Sequence, residues 1–241
     1  MDLVTALGAE GLVCVVGAGG KKSTLWQLAV RIDRAVVTAT VRIPIFDPHV
    51  SAVSVTENPV EAIRGADTWP LGLVPEREGD RYLGYETETV ERIAGTEPPD
   101  AVLVKADGAR MREFKAPNDA EPRIPTATDT VLPLVSAHVV GKPLTDDYVH
   151  RVDRVAALTD LSPGEEIRPD NVARVVTSPN GGCKDVPDGA TVVPVVNKVD
   201  DDADEEAARR IASAVLATDR VDRVALTRMI ADDPIVAVLG D

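Results

Sequence analysis

The chain has 241 residues, 44% of them hydrophobic, with 40 Asp and Glu against 26 Lys and Arg, for a formal net charge of −14. That length supports one sizeable core, and so acidic a surface argues against nucleic acid and anionic membranes as partners while suiting a small-molecule protein or a high-salt cytosol. A halophilic source is the expected cause of the excess carboxylates, which makes the run Asp200 to Glu206 solvated surface.

The two cysteines, Cys14 and Cys183, supply neither a disulfide framework nor a cysteine zinc site. No stretch reads as a signal peptide or a membrane span, so a cytoplasmic location is expected.

In chain order, apolar β-branched runs occur at Leu12 to Val16, Ala35 to Val37, Ala101 to Val104, Val131 to Val135, Thr191 to Val196 and Val221 to Leu226. Helical periodicity falls at Ser23 to Ile32, Thr87 to Ile93, Val149 to Leu158 and Glu205 to Leu216. Near-continuous apolar strands alternating with helices predict an α/β fold of three layers around a mostly parallel sheet. Residues 1–241 read as a single domain, with an edge excursion or insertion at 41–85, which holds Trp69, Tyr82 and Tyr85. A Pro-rich, charged loop at 107–130 reads as functional; a solvated excursion is the alternative.

The turn "VCVVGAGGKKST", Val13 to Thr24, decides between two phosphate-binding templates. A dinucleotide fingerprint starting at Gly17 would need glycine where Lys22 stands, and an acidic residue about twenty positions on, where Thr38-Ala39-Thr40 lies. The strict P-loop fails too, because Lys22 follows Lys21 where a hydroxyl is required. A shorter form, G-x-x-G-K-x-[ST], fits as Gly17-Ala18-Gly19-Gly20-Lys21-Lys22-Ser23 and resembles the compact loop of Mur and folylpolyglutamate ligases. In this P-loop NTPase-like reading, glycine amides and a helix N-terminus face phosphate oxygens. Lys21 contacts the outer phosphates, and Ser23 or Thr24 faces Mg2+.

Two later segments extend the reading. "DAVLVKADGAR" is a strand running into Asp107, the expected second magnesium ligand and, with Lys21, a candidate catalytic residue. "TVVPVVNKVD" ends in Asn197-Lys198-Val199-Asp200, the N-K-x-D form of GTPases. Asp200 can accept two hydrogen bonds from guanine, whereas adenine would leave it unpaired at a cost on the order of 1–3 kcal/mol. GTP is therefore expected somewhat ahead of ATP.

With these pieces in place, the chain resembles the YqeC family of proposed accessory proteins of selenium-dependent molybdenum hydroxylases, from about Gly11 to Asp200. The resemblance is carried by "VGAGGKKST", by Thr38-Ala39-Thr40 followed by Arg42 and Pro44, by "ADGAR…FKAPNDAEPRIP", by "GKPLTDDYVHR" and by "NKVD". It implies a cytoplasmic nucleotide-dependent maturation factor whose partner is a molybdenum hydroxylase or its cofactor. It also implies that Lys115, Glu121, Arg123, His150 and Arg151 shape the second half of the pocket.

The chain departs from the family pattern at Lys22, where members usually carry Thr, and at Lys105, where they carry Glu. If both ammonium groups face the phosphates, they lessen the need for magnesium; both facing solvent is the alternative. Thr40 or Glu121 is the candidate for orienting an attacking water. A non-catalytic scaffold holding a nucleotide or an anionic pterin-type cofactor is the rival reading, and a ligase or kinase with a second substrate is a third. His49, His138 and His150 are too scattered for metal spacing, Trp26 reads as core, and Cys183 is a lone thiol.

Overall fold

Leu12, Val13, Cys14, Val15 and Val16 are each at most 2% exposed, so the first strand, β1 (Gly11–Gly17), is covered on both faces. In the computed structural model, which describes residues 1–240, it follows a short helix α1 (Leu3–Leu7) and leads into α2 (Lys21–Ala29) and β2 (Ala35–Ala39). Next come β3 (Ile43–Pro44), β4 (Ala52–Val55), α3 (Pro59–Arg64), β5 (Leu71–Val74), β6 (Arg77–Glu78) and β7 (Arg81–Tyr82). The middle of the chain forms α4 (Thr87–Ala94), β8 (Ala101–Lys105), β9 (Phe114–Lys115), β10 (Thr130–Ser136) and β11 (Val149–His150). The last part holds α5 (Val152–Thr159), α6 (Pro169–Val176), β12 (Thr191–Val192), β13 (Val195–Asn197), α7 (Asp202–Leu216), β14 (Arg223–Thr227) and β15 (Ile235–Gly240).

The large sheet runs β15-β14-β13-β10-β1-β8-β2-β5-β4, with β12 also paired to β10. Every pairing in it is parallel except that of the edge strand β15. Strand alternation divides the core between the two faces. Val13 and Val15 pack with Leu25 and Leu28 of α2, while Cys14 and Val16 pack with Ile63 of α3 and with Val90 and Ile93 of α4. Val135 and Val196 join Val172, Ala208 and Ile211 under α6 and α7. This is the three-layer α/β arrangement, with helices on both faces of the sheet.

The register aligns the strand ends that matter. Val15 and Ala39 sit opposite Lys105, Gly17 opposite Leu134, and Ser136 opposite Asn197, so five parallel strands finish at one edge. Segment 41–85 is built into the sheet: β5 and β4 are its outermost strands on that side, and β3, β7 and β6 form a small sheet of their own. The expected strand at 191–196 divides at Pro194, which has no N–H to donate to a ladder. Among the described residues no helix is long and apolar enough to cross a membrane.

Candidate functional site

The glycine turn is forced by its neighbours as well as by its dihedrals. Gly17 has φ +87° and a Cβ there would lie 2.2 Å from the Leu134 carbonyl oxygen; at Gly20, φ +137°, it would lie 2.1 Å from Asn197 Nδ2. Only glycine lets the backbone take that path so close to β10 and β13. Three amides of the turn are already engaged: Gly17 N–H donates to Asp107 Oδ2 (2.8 Å), Ala18 to the Leu134 carbonyl (2.9 Å) and Gly19 to the Arg112 carbonyl (3.2 Å). Beyond them, the N–H groups of Lys21, Lys22 and Ser23 open α2, where no preceding turn supplies intrahelical acceptors. Together with the helix dipole they form the positive end on which an anion can settle.

Asp107, just past β8, is the buried centre of the site at 2% exposure. Lys21 Nζ lies 2.9 Å from its Oδ1, an ion contact without hydrogen-bond geometry, and Lys115 Nζ lies 2.8 Å from its Oδ2. Burial alone would raise the carboxyl's pKa, but the two ammonium groups outweigh it and hold it below its usual range. Lys21 also donates to the Gly17 carbonyl, and burial lowers its own pKa against the pull of Asp107. Lys115 further donates to the Gly108 carbonyl (2.6 Å) and to Glu121 Oε2 (3.2 Å).

The loop at 107–130 is therefore wound back onto the strand ends. Glu121 accepts the Gly108 N–H (3.1 Å) and the Arg151 guanidinium (2.8 Å), and its backbone carbonyl accepts Lys184 Nζ (3.0 Å). Burial opposes its charge, but Lys115 and Arg151 keep its pKa lowered. Arg123 turns elsewhere, donating to the Thr40 carbonyl (3.2 Å) and pairing with Glu86, while the Thr40 hydroxyl donates to the Arg123 carbonyl (2.7 Å). His150 pairs in register with Lys115; burial and the adjacent Arg151 push its pKa down to about 4, so it is neutral at pH 7.

Lys105 faces this group from β8. It is 7% exposed, donates to the Arg42 carbonyl (2.8 Å), and has its pKa lowered to about 7 by burial and then by Lys21. An anion beside it would favour its charged form. Lys22 and Ser23 are half-buried, and Ser23 makes no side-chain hydrogen bond among the described residues; the Thr24 hydroxyl is turned back to the Gly20 carbonyl (3.2 Å).

The N-K-V-D turn meets the glycine turn through Asn197. Its Nδ2 donates to the Gly19 carbonyl (2.8 Å) and its Oδ1 accepts from Thr227 Oγ1 (3.1 Å) and Met229 N–H (3.0 Å), all buried. Lys198, at φ 62°, reaches Glu113 Oε1 (2.6 Å) and so ties the turn to the long loop. Asp200 lies with one oxygen 3.4 Å from His138 Nε2, which is itself 3.2 Å from Asp204. One ligand atom from each of these three lies within 4.8 Å of the others, but all stand at the positive start of α7, which disfavours a cation. Replacing Asn197 with Ala strips three buried groups of their partner, and a loss of about 2 kcal/mol in urea unfolding is expected.

Residues that the sequence reading missed close the site from above. Gly181 and Gly182, together with Pro117 and Pro122, flank a cleft of about 20 Å³ over Asp107 and Lys115, room for about one water. Lys184 anchors this segment to Glu121. A second glycine pair followed by a lysine, in "NGGCK", is the signal that could have pointed to it. Cys183 beside it donates to the Val176 carbonyl (3.5 Å), and burial raises its pKa, which works against a reactive thiolate. Trp26 stacks on His49 with ring centroids 4.7 Å apart and packs on the core.

Magnesium would need oxygen donors, and Ser23 and Asp107 are the expected pair. They do not suit it as arranged, since one oxygen of Asp107 faces the Lys21 ammonium and the other holds that of Lys115 as well as the Gly17 N–H.

A glycine turn between a central parallel strand and a helix, with a lysine reaching an aspartate at the end of the adjacent strand, defines a P-loop NTPase-like α/β protein. Among known proteins, the YqeC protein family matches residues 13–153. The chain belongs to that family. It is 28% identical over 207 residues to a protein of Escherichia coli (strain K12) named as uncharacterized protein YqeC, covering 81% of this chain and 80% of that one.

Proposed function

We propose that the protein binds a purine nucleoside triphosphate, GTP ahead of ATP, with its phosphates on the open amides at the start of α2, beside the narrow cleft over Asp107. The observation that carries the reading is the concentration of Lys21, Lys105 and Lys115, each no more than 7% exposed, beside the open amides of α2 in a chain of net charge −14. Asp107 and Glu121 already meet Lys21 and Lys115, but Lys105 has only the Arg42 carbonyl, and burying an ammonium is costly unless an anionic partner meets it. The crevice past the carboxyl ends of parallel strands is also where such folds receive ligands.

Thermal denaturation with GTP, GDP, ATP and ADP is the direct test. A ligand at a hundred times its Kd adds about 2.7 kcal/mol to stability, so Tm should rise with the triphosphates and most with GTP. No shift with any nucleotide at millimolar concentration would sink the proposal.

A specific observation favours holding the nucleotide over hydrolysing it. Glu121 is ionised and engaged by Lys115 and Arg151, and the Thr40 hydroxyl is engaged by Arg123, so both candidates for orienting water are occupied. The nucleotide then serves as a structural ligand of a scaffold. Its client, on the strength of the family resemblance, is a selenium-dependent molybdenum hydroxylase or the enzyme's cofactor. Phosphate release that stays at background with and without the client fits this reading; steady turnover restores the enzyme reading.

A further inference from the structure

We infer that the site takes its polyphosphate ligand as the metal-free anion, with the Lys105 ammonium supplying the positive charge that a divalent cation brings elsewhere. The inference deepens the nucleotide reading and rests on it. Lys21, Lys115 and Arg151 gather about Asp107 and Glu121, and Lys105, buried two residues before Asp107 and held by the Arg42 carbonyl, adds a fourth cation when it is protonated, so that four then face two carboxylates. The excess of two positive charges equals that of one magnesium ion.

The arrangement leaves a divalent cation poorly placed. It would have to displace Lys21 or Lys115 from Asp107, putting an ammonium back into a buried site without its counter-charge. Lys105 is differently placed from the other two. Its ammonium has three N–H groups, and the Arg42 carbonyl is its single acceptor among the described residues. A 7% exposed ammonium with unmet donors is costly in the free protein and satisfied once phosphate oxygens arrive.

The experiment is calorimetric titration of the full chain with inorganic tripolyphosphate and with GTP, each in excess magnesium and in EDTA. The variants are Lys105→Met, Lys105→Gln and Lys105→Arg, with circular dichroism confirming that each is folded. Wild-type affinity in EDTA should lie within about threefold of that in magnesium. Lys105→Met and Lys105→Gln should weaken binding in EDTA at least tenfold, and Lys105→Arg should retain most of it. A wild-type affinity that falls more than tenfold in EDTA overturns this inference and leaves the nucleotide reading standing. So does a Lys105→Met variant that binds like wild type in EDTA. Absence of binding by both ligands under both conditions overturns the inference and the nucleotide reading together.

Discussion

Replacing Asp107 with Asn should destabilise the protein by on the order of 3–5 kcal/mol, the usual cost of removing one partner from a buried ion pair. The amide keeps the shape of the side chain, so the loss isolates charge. Lys21 and Lys115 would then face each other across a neutral group, and the Gly17 N–H would lose its ionised acceptor. Equilibrium urea unfolding at pH 7 reads the effect directly. Adding Lys115→Met to Asp107→Asn should recover part of the loss, since the two residues are in contact and cannot act additively. A variant within about 0.5 kcal/mol of wild type would show that Asp107 does not hold the two lysines in place.

Lys105→Met should act in the opposite direction and stabilise the protein below neutral pH. The folded-state pKa of Lys105 is about 7, against 10.5 for an ordinary lysine, with burial the main cause. Between those values the unfolded chain binds the proton and the folded chain does not, so this residue makes stability rise with pH. Below pH 7 both states are protonated and the full burden of the buried ammonium is present. At about 1.4 kcal/mol per pKa unit, the gain from Lys105→Met is on the order of 2–4 kcal/mol at pH 6. It should shrink steadily as pH approaches 10. Melting temperatures of both proteins across that range give the profile; curves that run parallel would exclude a desolvated lysine. A variant that is more stable yet binds anions less well would place Lys105 among the residues retained for function at the expense of stability.

The central strands were legible because they are buried on both faces and their apolar runs need no partner to be recognised. The same holds for Lys21 and Asp107, which the glycine turn and the strand end mark by position alone. What was not legible depended on tertiary contact. β4 and β5 are short, and nothing in "AVSV" or "LGLV" says that they continue a distant sheet. β15 is half-buried and antiparallel, against the pattern of the rest. Helix α6 is short and starts at Pro169 after an irregular stretch, so its periodicity covers barely two turns.

In the site, the resemblance drew Lys115, Glu121, Arg123, His150 and Arg151 together as one group. The structure brings Lys115, Glu121 and Arg151 around Asp107 and sends Arg123 to Thr40 and Glu86. Spacing along an irregular loop does not determine which arginine turns inward. Asn197 opens the N-K-x-D turn that the sequence assigns to base recognition, and its three hydrogen bonds make it the strut between two turns 178 positions apart.

The hydrogen bond from the Gly19 amide to the Arg112 carbonyl couples the glycine turn to an outer bend. On that bend Arg110 and Met111 both hold positive φ, and Met111 is 79% exposed. Deuterium uptake at Gly19 therefore cannot be independent of the bend: its amide opens to solvent only as the carbonyl of the residue that follows that strained pair swings away. The turn and the Arg-Met tip should exchange as one cooperative patch, and whatever pins either of them slows the other.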